Sequence, residues 1–236
     1  MNYDYQIASG RGTEIVYLNN QRDKWDLVHS IERLRLKYPS EQVVRFIKSN
    51  FSSDISNTRI LDLGCGSGRH VAYLLGAGYQ VAGMDISQES VACTQSIIAS
   101  NGWSADVVQG SMTQLPYKDQ SFDGLICHGV LLYLKVIDIQ AAINEMFRVM
   151  KPGARALIVV RSVKDMRYGK GDELGDNTFL ITDNFTNEEG MVMHFFTEEE
   201  IRSLFASFTN VQVGISEMSM KSLEDYNSDY IIIVTK

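Results

Sequence analysis

The stretch that decides the fold class is "RILDLGCGSGRHVAYLL", from Arg59 to Leu75. Its glycines, Gly64, Gly66 and Gly68, stand at alternate positions between an apolar run and an amphipathic run. The first run predicts a buried strand and the second a helix, with the glycines forming the turn between them. A glycine backbone lets a ligand approach closely and adopts φ values that a Cβ disfavours. The stretch therefore predicts a ligand-binding strand, turn and helix.

The spacing of the glycines narrows the choice of ligand. A dinucleotide-binding turn reads G-x-G-x-x-G, and the place of its third glycine is taken here by Arg69. A phosphate-binding P-loop needs G-K-[ST] after its glycines, and that sequence does not follow them. The turn is thus unlike those that hold a pyrophosphate or a nucleoside triphosphate.

Short apolar runs and helical stretches alternate along most of the chain. Strands are predicted at 60–63, 80–85, 105–109, 122–127, 155–161, 211–216 and 230–235. Helices are predicted at 41–49, 68–77, 88–101, 138–150 and 198–208. Continuous apolar strands separated by helices predict an α/β fold with a mostly parallel sheet covered on both faces, whose ligands bind at the carboxyl ends of the strands. The last two strands follow the last helix directly, which predicts an antiparallel hairpin at the edge of the sheet.

Composition excludes several classes of function. The 236 residues carry 22 basic and 29 acidic side chains, a net charge of −7, without a long basic cluster. Broad binding to nucleic acid or to an anionic membrane is therefore not favoured. Neither a leader pattern nor a membrane-spanning apolar run is present, so we expect a cytoplasmic protein. The three cysteines form no C-x-x-C pair and are expected to be reduced, without a metal.

The motif "LDLGCGSG", Leu61 to Gly68, resembles the first motif of the class I S-adenosylmethionine-dependent methyltransferases. "VAGMDIS" ends its strand in Asp85, where that family has an acidic residue that accepts hydrogen bonds from both ribose hydroxyls. "MKPGA" approximates the family's later L-K-P-G-G. The resemblance implies a Rossmann-like, seven-stranded, mostly parallel sheet and S-adenosyl-L-methionine as cofactor. It also implies that Asp62 and the three glycines belong to the cofactor site, although Asp85 could instead serve only as the neighbour of a helix cap at Ser87.

Further cofactor contacts follow from the same resemblance. Ile86 would pack on the adenine, and "QGSMTQL" matches a block in which the family usually has an acid after the glycine. Ser111 stands there instead, so Ser111 and the backbone of Met112 are expected to read the adenine. Related enzymes also fold aromatic residues from before the first strand over the cofactor, although helical spacing explains the tryptophan equally well as a core residue. The candidates are Tyr17, Trp25 and Tyr38.

Two residues at strand ends are candidates for catalysis. His128 follows the fourth strand and could contact the cofactor, act as a general base, or be a strand-end histidine without function. Arg161 ends the fifth strand, where glycine N-methyltransferases and related enzymes have an arginine that pairs with the substrate carboxylate. Arg161 would then clamp an anionic acceptor, or else be a solvated strand-end residue. His194 could reach the mouth of the site or lie in a strand beside apolar neighbours.

The resemblance implies methyl transfer to nitrogen or oxygen of a small polar metabolite, anionic if Arg161 acts as a clamp, by in-line displacement. One domain is expected, with a helical lid at 1–55, a cofactor-binding core at 56–161, an insertion over the acceptor site at 162–196, and a closing helix and strands at 197–236. The expected partner is a small-molecule acceptor, and the sequence is silent on the oligomeric state. The alternatives are methylation of a macromolecule such as tRNA or protein, and a regulatory protein that binds the cofactor without catalysis.

Overall fold

A computed structural model describes residues 21–183, 188–219 and 222–236, and the backbone of two strands that precede them. The described helices are α1 (Gln21–Ser30), α2 (Glu41–Asn50), α3 (Arg69–Gly76), α4 (Gln88–Ser100), α5 (Val136–Val149) and α6 (Glu198–Leu204). The strands are β1 (Tyr3–Ser9), β2 (Gly12–Leu18), β3 (Arg59–Leu63), β4 (Gln80–Asp85), β5 (Asp106–Gln109), β6 (Phe122–His128), β7 (Met150–Arg161), β8 (Gly171–Gly175), β9 (Thr178–Ile181), β10 (Val192–His194), β11 (Thr209–Met218) and β12 (Asn227–Thr235). None of these helices is long and apolar enough to cross a membrane.

Seven strands form the central sheet in the order β11-β12-β7-β6-β3-β4-β5. The strands from β7 to β5 are parallel, and β12 runs antiparallel to both β7 and β11. The predicted mostly parallel sheet with an antiparallel hairpin is therefore confirmed. Chain order reverses beside β3, because β4 and β5 lie on one side of it and β6 and β7 on the other. Ligands of open α/β sheets bind at such a reversal, at the carboxyl ends of the strands.

Helices cover both faces of the sheet. On one face α5 buries Ile143 and Met146 against the strands. On the other face α2, α3 and α4 bury Phe46, Leu74 and Ile98. Strands enclosed on both sides must be apolar throughout, which is why β3 reads as a continuous apolar run broken only by its aspartate. The two apolar layers fix the strand ends, and with them the glycine turn that follows β3.

The predicted helical lid at 1–55 is wrong before residue 21. The backbone there forms an antiparallel hairpin in which Tyr3 pairs with Leu18 and Ser9 with Gly12. Apolar and polar residues alternate along β1, and the sequence has Gly10 between the two runs, which is a pattern typical of a hairpin. The helical part of the predicted lid begins with α1.

The segment 162–196 is more ordered than its polar composition predicts. It contains a three-stranded antiparallel sheet in the order β10-β9-β8. Phe179, Ile181 and Met193 are buried in the main apolar layer, so this small sheet is anchored to the core. None of the residues 162–183 and 188–196 lines the cavity at the strand ends. The prediction that this segment covers the acceptor site is therefore not supported.

Candidate active site

A cavity of about 340 Å³ lies at the carboxyl ends of β3, β4 and β6, beside the reversal of strand order. The glycine turn after β3 forms its floor, and the residues that follow β4, β5 and β6 form its walls. Residues of α1 and of the 3-10 turn Glu32–Leu34 cover it. Its size is in the range of pockets that bind small molecules and cofactors.

The glycines of the turn differ in what surrounds them. All three have positive φ, +71° at Gly64, +53° at Gly66 and +81° at Gly68. A Cβ on Gly64 would overlap Val130, and one on Gly68 would lie 2.8 Å from Thr94 Oγ1. A Cβ on Gly66 would touch only the His29 ring, 3.4 Å away at Cε1. The outer glycines are therefore needed for packing, whereas Gly66 leaves open the space above the turn.

Asp85 both supports the turn and faces the cavity. It ends β4, and its Oδ2 accepts a hydrogen bond from the N–H of Gly66 at 2.8 Å. Its Oδ1 accepts from the N–H of Ser87 at 2.9 Å, and Ser87 in turn caps α4 by accepting from Ser90. Burial raises the pKa of Asp85, and the two N–H bonds oppose that rise. Because each carboxylate oxygen has two lone pairs, both oxygens can accept a further bond from a ligand.

The wall beyond Asp85 is an apolar slot with a hydroxyl at its rim. Ile86, which is 43% exposed, lines the slot together with Met84 and Met112. Ser111 lies at the rim, where its Oγ is 2.8 Å from Thr113 Oγ1. A flat apolar ring with a polar edge would match this slot.

Helix α1 is fastened on both sides of the cavity. Gln21 Nε2 donates to the carbonyl oxygens of Tyr133, at 2.9 Å, and Val192, at 3.0 Å. Near the other end of the helix, Asp26 Oδ1 accepts from Ser87 Oγ at 2.6 Å. The helix is thereby tied both to the small sheet and to the start of α4, which brings the residues on its inner face over the glycine turn.

Aromatic rings form the roof. Trp25 stacks on His29 with ring centroids 5.8 Å apart and meets Tyr133 edge to face at 4.9 Å. The Nδ1 atom of His29 is buried and has no hydrogen-bond partner within the described part of the chain. Burial lowers the pKa of His29, against the opposing charge of Asp85. The roof therefore offers apolar ring faces and one polar atom, His29 Nδ1, to which a bound molecule can form a hydrogen bond.

His128 is held in one orientation at the end of β6. Its Nε2 lies 2.8 Å from Gln42 Oε1 and 3.1 Å from Ser40 Oγ. Because an amide oxygen only accepts, Nε2 carries the proton and Nδ1 keeps its lone pair. The other described residues form no side-chain hydrogen bond to Nδ1, and a hydrogen bond within the backbone of His128 itself opposes the fall of its pKa. Burial lowers the pKa of His128 to about 3, helped by His70 and Arg69, so the ring is neutral at ordinary pH.

A second histidine and a buried carboxylate lie behind the turn. His70 Nε2 accepts from the N–H of Ser40 at 3.3 Å, and its Nδ1 lies 3.7 Å from Asp62 Oδ1. Asp62 is 1% exposed, and neither carboxylate oxygen has a hydrogen-bond partner among the described residues. Asp62 does not line the cavity. It acts on the site through its charge and not, as the resemblance implied, as a residue at the surface of the cofactor site.

Arg161 reaches the cavity with its charge already balanced. Its Nη1 donates to Asp229 Oδ1 at 2.6 Å and lies 3.8 Å from Asp165 Oδ2. Asp165 is fully buried and also pairs with Arg167 at 2.9 Å. With two carboxylates beside it, Arg161 is not the free cation that a clamp for an anionic acceptor requires. That expectation is not supported.

Arg69 is the second arginine among the described residues that line the cavity. It follows Gly68 directly, and the structure gives its side chain no hydrogen bond or ion pair with any residue in the described ranges. Burial lowers the pKa of Arg69, and the charge of Asp62 beneath the turn opposes this. The cavity thus contains a guanidinium group without a bonded counter-charge.

Comparisons with known proteins agree with this site. Residues 61–158 match the family model described as "Methyltransferase domain". A solved S-adenosylmethionine-dependent methyltransferase from Methanosarcina mazei is 25% identical, with a TM-score of 0.68 over 81% of this chain and 96% of that one. Residues 61–158 therefore form a methyltransferase domain, and its fold is that of a solved S-adenosylmethionine-dependent methyltransferase.

Curated relatives match a smaller part of the chain. A ubiquinone biosynthesis O-methyltransferase from Rickettsia prowazekii is 30% identical over 139 residues, which are 59% of this chain and 52% of that protein. An O-methyltransferase from Aspergillus nomiae is 29% identical over 126 residues, 52% of this chain and 55% of that protein. The chain thus spans about half the length of the curated relatives it matches.

The cofactor of the methyltransferase domain is S-adenosylmethionine, and the residues present fit it. A Cβ at position 66 would occupy the open space above the turn, so glycine is the residue expected there if a ligand lies against the backbone. Asp85 offers lone pairs suited to two ribose hydroxyls, and the slot at Ile86 suits an adenine ring. The unpartnered nitrogen of His29 is a further polar atom that the cofactor can satisfy.

Most residues predicted from the sequence do meet at this cavity. Those that line it are Trp25, Gly64, Gly66, Asp85, Ile86, Ser111, Met112, His128 and Arg161. Gly68 lies behind the turn as the N-cap of α3. Tyr38 is 84% exposed and does not line the cavity, and the side chain of Tyr17 lies outside the described residues. His194 is buried in β10, bonded to Thr178 and Glu200, and does not line the cavity either.

Sequence reasoning did not assign several of the residues that line the cavity, and four of them carry polar or aromatic side chains that face a ligand from three different elements. Gln21, His29, Arg69 and Tyr133 are brought there by α1, by the start of α3 and by the turn after β6. Only Arg69 had a signal in the sequence, since a cation directly after a glycine turn is a natural anion ligand. The others depend on the docking of α1, which no local pattern specifies.

Proposed function

We propose that this chain transfers a methyl group from S-adenosylmethionine to an oxygen atom of a small molecule. The observation that carries the proposal is His128, whose Nε2 is held by Gln42 and whose ring lines the cavity. Two curated relatives are O-methyltransferases by name, which supports oxygen rather than nitrogen as the acceptor atom.

Bound S-adenosylmethionine supplies a methyl group on a positively charged sulfur, which leaves as a neutral thioether. His128 accepts the hydroxyl proton at Nδ1 while the new O–CH₃ bond forms and the S–CH₃ bond breaks, so the positive charge passes from sulfur to the imidazole. A base whose pKa is about 3 can do this because the proton becomes strongly acidic once its oxygen is alkylated. Gln42 and Ser40 keep the ring oriented during the transfer.

The roof positions the reactants and excludes water. Trp25 and Tyr133 present aromatic faces and edges over the glycine turn, where a positively charged sulfur is attracted to ring faces. Gly66, Asp85 and Ile86 would hold the donor beneath them. Alignment of donor and acceptor lowers the barrier because the reactants lose their freedom on binding rather than in the transition state.

The acceptor we propose is uncharged where it meets Arg161. Asp229 and Asp165 already lie beside that arginine. A carboxylate or phosphate on the acceptor would therefore be repelled by two negative charges while it is attracted by the arginine. A macromolecular acceptor is less well supported, because α1 covers the cavity and the chain is acidic overall. The free cysteines of the described chain suit the reducing cytoplasm, which is the location we propose.

Transfer of labelled methyl groups tests this proposal. The protein is incubated with methyl-labelled S-adenosylmethionine and with separate small-molecule, RNA and protein fractions of a cell extract. We expect label in the small-molecule fraction, and a His128→Gln variant should lose roughly 100-fold or more of kcat while binding S-adenosylhomocysteine as the wild type does. Label confined to RNA or protein contradicts the proposal. Binding without any transfer supports the regulatory alternative instead.

A further inference from the structure

Ser40 stands at the start of a helix without capping it. It is the N-cap of α2, a position at which a serine hydroxyl usually accepts a hydrogen bond from the first backbone N–H groups of the helix. Its side chain makes no such bond. The hydroxyl instead donates to Gln42 Oε1 at 3.0 Å and lies 3.1 Å from His128 Nε2. The polar side chains at the start of α2 therefore serve His128 rather than the helix.

The backbone of Ser40 is held by a second histidine, His70. The N–H of Ser40 donates to His70 Nε2 at 3.3 Å. Because the first N–H groups of a helix have no partner within the helix, this bond satisfies a donor that α2 leaves free. His70 is 4% exposed and belongs to the first turn of α3, directly behind the glycine turn. The position of Ser40 is thus fixed from α3.

Asp62 selects the tautomer of His70 that can accept this bond. Since Nε2 accepts from Ser40, the proton of the neutral ring lies on Nδ1. That nitrogen is 3.7 Å from Asp62 Oδ1. Asp62 is buried, and its carboxylate has no hydrogen-bond partner among the described residues. A buried negative charge at this distance favours a proton on the facing nitrogen, so Asp62 and Ser40 specify the same tautomer.

We propose that His70 is a positioning residue that, with Asp62 behind it, holds the backbone of Ser40 so that Ser40 and Gln42 keep His128 oriented for methyl transfer. The two histidine rings lie with their centroids 5.4 Å apart. His70 acts through Ser40, and the proton of the acceptor passes to His128 alone. Loss of this support would let the base turn away from the acceptor, and a small displacement of a reacting group lowers the rate steeply. The inference rests on the proposed function where it makes His128 the base, whereas the positions of the ring protons are independent of any reaction.

Nitrogen-15 NMR of the histidine rings tests the arrangement without any acceptor. The chain has four histidines, so each ring can be assigned by replacing one histidine at a time. A ring nitrogen that carries a proton has a chemical shift well separated from that of one that does not. In the wild type we expect the proton of His70 on Nδ1 and that of His128 on Nε2. A proton on Nε2 of wild-type His70 would overturn the inference, because that nitrogen could not accept from Ser40.

A pair of substitutions at His70 tests the effect on His128. His70→Leu removes the acceptor for the Ser40 N–H, whereas His70→Gln can place an amide oxygen where Nε2 stands. In His70→Leu the His128 ring should show both tautomers. The rate of label transfer to the small-molecule fraction of a cell extract should fall by at least about tenfold, while the affinity for S-adenosylhomocysteine changes less than about threefold. His70→Gln should restore the single tautomer of His128 and most of the rate.

His194→Gln is the matched control. His194 is also buried and hydrogen-bonded, to Thr178 and Glu200, but it does not line the cavity. Its replacement should leave the spectrum of His128 unchanged. Thermal melts establish that each variant is folded.

Three results with the variants would contradict the inference. One is an unchanged His128 spectrum in a folded His70→Leu protein. Another is a loss of affinity for S-adenosylhomocysteine as large as the loss of rate, which would make His70 a ligand of the cofactor. The third is an equal effect of both substitutions, which would mean that the hydrogen bond to Ser40 is not what matters. If the wild type transfers no methyl group to small molecules, the proposed function fails, while the spectra still decide whether His70 fixes His128.

Discussion

Replacing Gly66 by alanine should separate cofactor binding from folding. At φ +53° an alanine is strained by roughly 1 to 2 kcal/mol relative to glycine. The new Cβ would meet only the His29 ring, at 3.4 Å, so no clash adds to that cost. For a chain of 236 residues we expect the Tm to fall by about 2 to 4 °C for each kcal/mol lost.

Gly102→Ala is the matched control. Gly102 has a similar φ of +67° and nothing within 4 Å of the position of its Cβ, so it carries the same backbone strain away from the cavity. Both variants should therefore lose similar stability. Only Gly66→Ala should also lose cofactor affinity, because its methyl group occupies the space above the turn.

Isothermal calorimetry with S-adenosylhomocysteine, beside thermal melts of the same samples, measures both effects. We expect Kd to rise by at least about tenfold in Gly66→Ala, equivalent to about 1.4 kcal/mol, and to stay within about twofold of wild type in Gly102→Ala. A folded Gly66→Ala protein with unchanged Kd would refute the placement of the cofactor against this turn. If both variants bound S-adenosylhomocysteine equally weakly, the loss of affinity would be due to general destabilisation of the fold.

Three further predictions concern the same site. Asp85→Asn should weaken the binding of S-adenosylhomocysteine by roughly 1 to 3 kcal/mol in calorimetry, because an amide has a single oxygen and its NH₂ group cannot accept a hydrogen bond. Asp106→Asn at the exposed start of β5 should leave binding unchanged. The lowered pKa of His128 means that its neutral form favours the folded state above pH 6.5 and that this contribution is lost as pH falls toward 3. Urea unfolding should therefore show that, between pH 7 and pH 5, the free energy of unfolding falls by up to about 2 kcal/mol more in the wild type than in His128→Gln. An equal fall in both proteins would refute the burial of a neutral ring. Asp26→Ala removes the bond to Ser87 and should raise the dissociation rate of S-adenosylhomocysteine in stopped-flow measurements with little change in the association rate; an unchanged dissociation rate would mean that α1 does not cover the bound cofactor.

The core of the fold was predictable because its signals are local. The apolar runs that form β3, β4 and β6 and the glycines between β3 and α3 lie within short stretches, and their spacing depends only on strand and helix geometry. The same holds for Asp85, since the carboxyl end of a parallel strand next to a glycine turn is a fixed position in such sheets. The hairpin at 3–18 was missed because the helical pattern that follows it was extended backwards over an alternating segment.

The charges of the site were not predictable from the sequence. Arg161 is neutralised by Asp229, a residue 68 positions away that only the antiparallel pairing of β12 with β7 brings beside it. His29 and Trp25 reach the cavity because Gln21 and Asp26 fasten α1 across it, through contacts with distant residues.

The sequence by itself determined the sheet and the glycine turn, because both follow from the spacing of apolar residues and glycines along the chain. It indicated the methyl donor through the resemblance of the glycine turn to a known family motif. Only the tertiary structure decided which arginine lacks a bonded counter-charge and which histidine is held in one orientation at the cavity. The physical reason is that the charge state and hydrogen-bonding capacity of a side chain depend on its neighbours in space, and those of Arg69, Arg161 and His128 come from distant parts of the chain.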